Sequence, residues 1–433
     1  MTTPHHGEDF LHDLRLRSAA EGGVFWLEDG PLAVFEPAAA RLVSRTNWDG
    51  LVMSDRLVDM IRRRHSTPVP WSRIRAAWLT QLHTLTTGEH TAEMITRMER
   101  VIDTRLGDAQ PIDTRPGHAR PIDDSPGDDP PGEDIDLVLL AQDIAVQSVL
   151  PVALSGLTAR ESALITQDLQ QKLLRLIDRH PGRGLHHHVR FAAVQIRAGL
   201  VVRRVLRDRA SGRRVREPDL ADPIVDLLPE LGMDRALDVV TAVLTAIGGP
   251  PGSAAASVLY EFVRNPQWAQ RLGRELHGLD RAEFCGAPAK AAPVTYRFVK
   301  EVLRMWSPPL LLVRHARVSS DVGPARLEKG QSYLVSPHMI HRDPRVWQQA
   351  DTFDPDRFLP GAPHGPVDRT CYVPFGWAPK KCIGADIGTV QLMALCYLMC
   401  TRYRLTVPDA GAVTMACRFA PVPQHFRGHI ALA

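Results

Sequence analysis

Residues 372–384 carry the sequence Tyr-Val-Pro-Phe-Gly-Trp-Ala-Pro-Lys-Lys-Cys-Ile-Gly, and the interpretation of the chain starts from this stretch. Cys382 follows two lysines in a loop that contains glycine and proline, and it directly precedes a predicted helix from about Gly384 to Thr401. Nearby cations and a helix N-terminus both favour a thiolate over a thiol. Backbone N–H groups in such a loop can donate hydrogen bonds to the sulfur. The small residue at 384 would let a flat ligand approach the backbone.

These features are typical of a cysteine that binds haem iron, to which the sulfur donates electron density. A lone cysteine is more often a buried structural residue, so other residues have to support this reading. Glu301 and Arg304 share one face of a predicted helix, which alone would indicate an ordinary surface salt bridge. Together with Arg357, which lies between aromatic residues, they can form a buried and mutually satisfied cluster. Trp71 and Arg75 share a face of an earlier predicted helix.

Taken in this order, the motifs resemble the cytochrome P450 superfamily, and the resemblance covers nearly the whole chain. The cysteine loop is similar to the family's Phe-Gly-x-Gly-x-Arg-x-Cys-x-Gly signature. Four signature residues match, namely Phe375, Gly376, Cys382 and Gly384. Two positions depart from it, with Ala378 in place of a glycine and Lys380 where arginine or histidine is usual.

The resemblance implies a mainly α fold with small β-sheets, in a single triangular domain over residues 1–433. It implies haem b as the cofactor and Cys382 as the axial ligand of its iron. The other residues that it places against the haem are Trp71, Arg75, Arg314, Phe375 and Gly384, with Arg317 as the competitor of Arg314. The structural triad that it implies consists of Glu301, Arg304 and Arg357. For His341, a packing or helix-capping role is favoured over contact with a haem propionate.

The long helix over the haem is predicted at about residues 233–264, and here the sequence departs from the family. Family members usually carry an acid followed by threonine, which help to relay protons to dioxygen. This chain has Gly249 and Pro250 at those positions, and Ser253 one turn later is a weak substitute. Pro250 and Pro251 also remove two backbone donors and should kink or open the helix.

Two interpretations of this departure stay open. The break could simply shape the pocket, or it could change the oxygen chemistry, with water on freed carbonyls or a polar group of the substrate replacing the relay. Relatives that use peroxide, or that rearrange substrates without external electrons, also lack the relay. The substrate wall is expected from family analogy at Ala246, Pro309, Leu310, Leu311 and Leu312.

Composition excludes several other classes of protein. The chain of 433 residues is 44% hydrophobic and 23% charged, which is typical of a folded protein. A net charge of +3 gives no indication of nucleic-acid binding. No uninterrupted apolar run approaches the roughly 18 residues of a membrane span, and the N-terminus lacks the apolar segment of a signal peptide. We therefore expect a cytoplasmic protein with no membrane partner.

Local patterns predict several further features. Residues 24–37 indicate a β-hairpin around Asp29-Gly30. Residues 101–130 are three tandem decapeptides rich in Pro, Gly and Asp, and residues 103–133 are predicted to form a disordered surface insertion. Cys396 and Cys400 are expected in the core. A metal site at His186–His188 is disfavoured because no cysteine or carboxylate spacing supports it.

The resulting hypothesis is a haem-thiolate monooxygenase that oxidises a hydrophobic small molecule in bacterial secondary metabolism. Electrons are expected from ferredoxin and ferredoxin reductase, with Arg73, Lys380 and Lys381 as candidates for a docking face. One alternative is an electron-independent haem isomerase or cyclase, or a peroxide-using enzyme. A second is a haem-binding protein without catalytic activity.

Overall fold

In this computed structural model the described residues are 6–28, 30–46, 69, 71–108, 134–176, 185–362, 367–368, 370–378, 381–417 and 420–433. Within these ranges, side chains are described except at residues 6–9, 71, 108, 173–176 and 185–188. The sequence predictions on Asp29, Lys380 and residues 109–133 therefore lie outside the described residues, as do those on the side chains of Trp71 and His186–His188.

Helices dominate the described part of the chain, which confirms the predicted fold class. They are α1 (His6–Ala20), α2 (Pro37–Thr46), α3 (Trp71–Leu85), α4 (Gly88–Asp108), α5 (Leu137–Ala153), α6 (Ala159–Leu176), α7 (Leu185–Ala210), α8 (Asp222–Asp226), α9 (Leu228–Gly248), α10 (Pro250–Arg264), α11 (Pro266–Leu276), α12 (Arg281–Gly286), α13 (Pro288–Ala291), α14 (Pro293–Met305), α15 (Pro337–His341) and α16 (Ala385–Thr401). A 3-10 helix covers Pro355–Phe358.

Local chemistry fixes where many of these helices begin. Helices α10, α11, α14 and α15 each start at a proline, whose fixed φ suits the first helical position and whose missing N–H is not needed there. Helix α5 has a side-chain cap instead, because the carboxylate of Asp136 accepts from the N–H groups of Val138 and Leu139 at 3.0 and 3.1 Å.

The strands form small sheets. They are β1 (Val24–Trp26), β2 (Leu32–Val34), β3 (Ile135–Asp136), β4 (Leu312–His315), β5 (Ser320–Val322), β6 (Ala325–Leu327), β7 (Ser332–Val335), β8 (Tyr403–Thr406), β9 (Thr414–Cys417), β10 (Pro421–Gln424) and β11 (Arg427–Leu432). The sheet orders are β1-β2-β7-β4, β3-β11-β8, β9-β10 and β5-β6. Strands β1 and β2 pair antiparallel with Phe25 opposite Ala33, so the predicted hairpin is present.

The largest apolar core is helical and joins α4, α5, α10, α11, α14 and α16. Cys396 is fully buried in it and Cys400 packs against it, as expected. Helix α4 reaches Asp108, so the predicted insertion begins too early at 103. The helix continues because Leu106 packs on this core and the Asp103 carboxylate takes hydrogen bonds from Tyr403 Oη at 2.6 Å and from Arg402 Nη2 at 2.8 Å.

One helical stretch, Leu228–Arg264, is long and apolar enough to cross a membrane by length and composition alone. It consists of α9 and α10, and 56% of its most apolar window is buried inside the protein. A search for uninterrupted apolar runs misses it because charged residues interrupt the first turns of α9. The two helices are separated at Gly249, where the sequence predicts a break.

Candidate functional site

The cysteine loop is folded back on itself just before α16. The N–H of Cys382 donates to the carbonyl of Phe375 at 2.8 Å, and the N–H of Gly376 donates to the carbonyl of Val373 at 2.9 Å. Gly376 has a φ of +76°, in the left-handed region that glycine adopts without strain. Backbone geometry therefore accounts for the glycine at 376, and the turn brings Cys382 to the start of α16.

Cys382 is an exposed residue, whereas the other five cysteines are buried or half-buried. Desolvation by nearby protein atoms nevertheless raises the pKa of its thiol. The N–H of Gly384 and the charges of Arg75 and Lys381 oppose that rise because they stabilise a thiolate. A Cβ at position 384 would stand 3.8 Å from the sulfur, so a side chain larger than alanine there would begin to cover it.

Two arginines approach this region from different elements. Arg75 of α3 donates from Nη2 to the carbonyl of Lys381 at 2.5 Å, and burial lowers the pKa of its guanidinium. Arg314 of β4 donates to the carbonyl of Val313 at 3.0 Å, and burial lowers its pKa too. No carboxylate among the described residues pairs with Arg314, whereas its competitor Arg317 is exposed. A half-buried cation is stabilised by an anionic partner, so Arg314 fits a ligand carboxylate better than Arg317 does.

The predicted triad is present and fully enclosed. Arg304 donates from Nε and Nη2 to the two carboxylate oxygens of Glu301, each at 2.8 Å, and Arg357 Nε donates to Glu301 Oε1 at 3.0 Å. The remaining donors of the two arginines reach backbone carbonyls, including that of Thr352. Two positive charges and one negative charge are thus buried together with their hydrogen bonds made, as such a cluster requires.

His341 connects the triad to the cysteine loop. Its Nε2 accepts from the N–H of Val373 at 2.9 Å, so its proton lies on Nδ1, which is 3.2 Å from the carbonyl of Arg304. Burial and the charge of Arg304 lower the pKa of His341 to about 3, which keeps the ring neutral. The structure therefore places His341 in a packing role rather than beside a propionate.

The long apolar helix at about 233–264 is interrupted where the sequence predicts. Helix α9 ends at Gly248 and α10 begins at Pro250, with Gly249 between them at φ −130° and ψ −71°. Neither Gly249 nor Pro250 carries a side chain that can donate or accept a proton. Ser253 does not replace them as a free donor, because its hydroxyl donates to the carbonyl of Pro421 at 2.6 Å.

The predicted substrate wall is only partly supported. Ala246 has exposed surface, and Pro309, Leu311 and Leu312 are half-buried. Leu310 was wrongly assigned to the wall, because its side chain is fully buried in the cluster around α1 and the β1-β2-β7-β4 sheet.

The docking residues also need a correction. Arg73 forms a salt bridge with Glu230 at 2.5 Å, which largely neutralises its charge. Lys381 is exposed. No group of three or more His, Cys, Asp or Glu side chains that could hold a metal ion occurs in the described part of the chain.

The sequence does not identify three polar residues that the structure buries. Gln142 on α5, Gln391 on α16 and Glu261 on α10 are each at most 4% exposed and make hydrogen bonds between helices. The available signal is a single polar residue inside an apolar helix, as in Leu-Ala-Gln-Asp-Ile at 140–144. That signal does not tell which helix the side chain reaches.

The donor set fits a haem. An exposed cysteine, a small residue beside it and a half-buried arginine without a carboxylate partner among the described residues match the iron, the flat ring and the propionates of that group. The fold, the cysteine loop and the buried triad together define a mainly helical protein of the haem-thiolate class. The family model described as Cytochrome P450 matches residues 233–422. The family model, the curated relatives and the solved structures together support the cytochrome P450 superfamily, whose members bind haem.

Curated relatives match over part of their length. Cyclooctatin synthase of Streptomyces melanosporofaciens is 29% identical over 46% of this chain and 40% of its own. Sterol 14alpha-demethylase of Mycolicibacterium vanbaalenii is 28% identical over 48% and 49%. Pentalenene oxygenase of Streptomyces avermitilis is 27% identical over 46% and 44%. The chain thus spans about half the length, or less, of these relatives.

The likeness in fold extends further than the likeness in sequence. The crystal structure of the haem domain of cytochrome P450DA superposes with a TM-score of 0.70. The superposition covers 98% of this chain and 92% of that one, at 17% sequence identity. This comparison supports the fold alone.

Proposed function

We propose that this chain is a cytoplasmic haem-thiolate monooxygenase of bacterial secondary metabolism that oxidises a hydrophobic small molecule. The observation that carries the proposal is Cys382, an exposed residue that the cysteine loop holds just before the start of α16. The names of two Streptomyces relatives, cyclooctatin synthase and pentalenene oxygenase, support a terpene-like substrate class. We take residues 1–433 to form one catalytic domain.

In this proposal haem b would be held by residues of the cysteine loop, of α3 and of β4. Cys382 binds the iron, with the N–H of Gly384 moderating the charge on its sulfur. Arg75 and Arg314 bind the propionates, together with Trp71, and Phe375 and Gly384 face the ring. When bound, the haem supplies the oxygen chemistry, which lies beyond the reach of protein side chains alone.

The break determines which protein groups can act on the oxygen side. Pro250 and Pro251 have no N–H, so the carbonyls of Ala246 and Ile247 lose the donors that an unbroken helix would give them. These two carbonyls are acceptors for a water molecule or for a hydroxyl group of the substrate. Either could deliver the protons that the missing acid and alcohol deliver in other family members.

The same observation supports a second candidate function. An enzyme that uses peroxide, or that isomerises or cyclises its substrate without external electrons, needs no relay of protons to dioxygen. The absence of side-chain donors at Gly249 and Pro250, with Ser253 bound to Pro421, agrees with this candidate. A non-catalytic haem protein is the remaining alternative.

An electron donor would be a ferredoxin served by its reductase. On the side of the loop near Phe375, a cavity of about 920 Å³ is lined, among the residues that the structure describes, by the cations Arg41, Arg45, Lys300 and Lys381 and by one acid, Asp386. An acidic protein fits this excess of positive charge. Because Arg73 is paired with Glu230, we replace it in the docking face with Arg41 and Arg45 of α2.

The test is a screen of terpene-like hydrocarbons and alcohols on the haem-loaded protein under three conditions. These are ferredoxin with reductase and NADPH, hydrogen peroxide alone, and no oxidant or reductant. The proposal expects oxygenated product only with the electron donors. Product with peroxide alone, or an isomer formed without either reagent, would establish the second candidate, whereas haem binding without any turnover would leave a carrier or sensor.

A further inference from the structure

Gln142 reaches from α5 to the break between α9 and α10. Its side chain is 1% exposed, and its Nε2 donates to the carbonyl of Gly248, the last residue of α9. The prolines at 250 and 251 have no N–H and leave other carbonyls of this turn without donors. Gln142 of α5 therefore donates a hydrogen bond to a carbonyl at the point where α9 ends.

A side chain at position 252 would force the amide of Gln142 to move. A Cβ at Gly252 would stand 1.6 Å from Oε1 of Gln142 and 3.1 Å from its Cα. Oε1 accepts no hydrogen bond from the described residues and rests against Gly252. Gln142 and Gly252 are thus a complementary pair, in which the long side chain on α5 fills the space that the glycine on α10 leaves.

A second buried glutamine ties the same helix to the cysteine side of the site. Gln391 of α16 is 2% exposed, and its Nε2 donates to the carbonyl of Ala145 at 2.9 Å and to the hydroxyl of Ser148 at 2.8 Å. Helix α16 begins three residues after Cys382. Helix α5 is therefore hydrogen-bonded both to Gly248 at the break and to α16, the helix that follows the cysteine loop.

We propose that Gln142 and Gln391 are positioning residues that fix the separation between the break at Gly249 and the loop of Cys382, with α5 as their common reference. We call the space between the break and the loop the slot. A flat group binds there only if the slot is as wide as the group is thick, and small displacements of either side weaken binding. That a haem occupies the slot rests on the proposed function. The two hydrogen-bonded links do not depend on it.

The same helix supplies a matched control. Gln147 lies on α5, is part-buried, and donates from Nε2 to the hydroxyl of Thr166 on α6 at 3.1 Å. Gln147 links α5 to α6 and does not share the hydrogen bonds of Gln142 or Gln391. A Gln147→Ala variant therefore removes one interhelical hydrogen bond of α5 and keeps both links of the proposal.

The experiment compares Gln142→Ala, Gly252→Ala, the double variant, Gln391→Leu and Gln147→Ala. In the protein without haem, hydrogen exchange of the Ser253 amide, which donates to the Gly249 carbonyl at 3.2 Å, reports on the break. In the haem-loaded protein, the rate of haem transfer to an excess of a competing haem acceptor reports on the slot. Thermal midpoints of all variants report on general stability.

We expect Gln142→Ala to speed Ser253 exchange at least tenfold over the Gln147→Ala control, and both Gln142→Ala and Gln391→Leu to speed haem transfer severalfold. Gly252→Ala should lose the most stability, since its methyl group meets the amide. The double variant should recover part of that loss by removing the clash, yet keep the fast exchange because the donor to Gly248 is gone.

The proposal is overturned if Gln142→Ala lowers the thermal midpoint while Ser253 exchange and haem transfer stay within twofold of the Gln147→Ala control. Gln142 would then fill space only. It is also overturned if the double variant is no more stable than Gly252→Ala. Failure of the wild type to bind haem would instead refute the proposed function, and the exchange rates would still decide the role of Gln142.

Discussion

Glu301 is the anion that pairs with both buried arginines of the triad. Its oxygens accept from Arg304 and Arg357 and from the N–H of Asp354 at 2.8 Å. A Glu301→Gln variant keeps the shape but leaves two buried cations without an anion. Breaking one partner of such a cluster costs about 3–5 kcal/mol, and we expect a loss of that size in chemical unfolding of the haem-free protein.

The matched control for this prediction is Glu328→Gln, which removes a carboxylate from an exposed pair with Arg326. Its unfolding midpoint should stay at that of wild type, because exposed ion pairs contribute little. If Glu301→Gln unfolds at the same denaturant concentration as this control, the triad does not stabilise the fold as described.

Glu261 gives the chain a pH-dependent stability. Its carboxylate accepts from Trp306 Nε1 and Asn265 Nδ2, each at 2.6 Å, but burial dominates and raises its pKa from 4.5 to about 7. The folded state therefore holds a proton that the unfolded state loses near pH 4.5. This contribution to stability is complete below about pH 4.5 and is lost as the pH rises to about 7.

A Glu261→Gln variant should accordingly show a smaller loss of stability over this pH interval than wild type. The difference between the two proteins should grow by about 3 kcal/mol from pH 4.5 to pH 7 and stay constant above. Unfolding free energies at half-unit pH steps check this, with the exposed Glu89→Gln as control. Parallel curves for wild type and Glu261→Gln would contradict the assignment.

At the scale of the element, the break between α9 and α10 is a local consequence of two prolines. Pro250→Ala with Pro251→Ala restores two N–H groups, which can donate to the carbonyls of Ala246 and Ile247. Each intrahelical hydrogen bond is worth about 1 kcal/mol, part of which the freer unfolded chain offsets. We expect the variant to be about 1 kcal/mol more stable and its amides at 250 and 251 to be protected from exchange.

An exchange-labelled sample of this double variant, read at single residues, checks the prediction. Unprotected amides at both positions would mean that contacts with other parts of the fold impose the break. The hydrogen bond from Gln142 to Gly248 would be the first such contact to test. Alanine is the suitable replacement because it has the highest helix propensity.

The sequence predicts these elements to different degrees. The hairpin of β1 and β2, helix α16 and the break at Gly249 follow from turn residues, apolar periodicity and proline chemistry, which all act within a few residues. The bond from Ser253 to Pro421 and the link from Gln142 to Gly248 join residues more than 100 positions apart. Such pairs depend on how helices and strands are arranged in the fold, which local patterns do not determine.

The same distinction applies to residues of the site. The cysteine loop and the triad were predicted because spaced motifs mark them, whereas Leu310 was misplaced because an apolar residue looks the same facing a pocket or a core. The sequence offers Arg73 as a docking residue because it does not reveal the salt bridge with Glu230, which lies on another helix.

At the scale of the whole molecule, the charge around the cavity lined by Arg41, Arg45, Lys300 and Lys381 makes a prediction about electron transfer. Reversing two charges with Arg41→Glu and Arg45→Glu should slow reduction by an acidic ferredoxin at least tenfold at low salt, because steering depends on complementary charge. Raising salt should slow the wild type and narrow the gap, since screening weakens the attraction.

Stopped-flow reduction of the haem-loaded protein at several salt concentrations measures this effect. Arg207→Glu on α7, an exposed arginine outside the cavity, is the control and should leave the rate near that of wild type. Equal slowing by the control would mean that overall charge, rather than this face, governs the encounter.

The central claim is that the sulfur of Cys382 binds haem iron, and the most direct test is the absorption spectrum of the reduced, carbon-monoxide-bound protein. Wild type should give the red-shifted Soret band of a thiolate-bound haem, and Cys382→Ser should lose it while Cys371→Ser, at the buried cysteine that directly precedes the loop, keeps it. A wild-type protein without haem, or a Cys382→Ser variant that retains the thiolate-type band, would contradict the account.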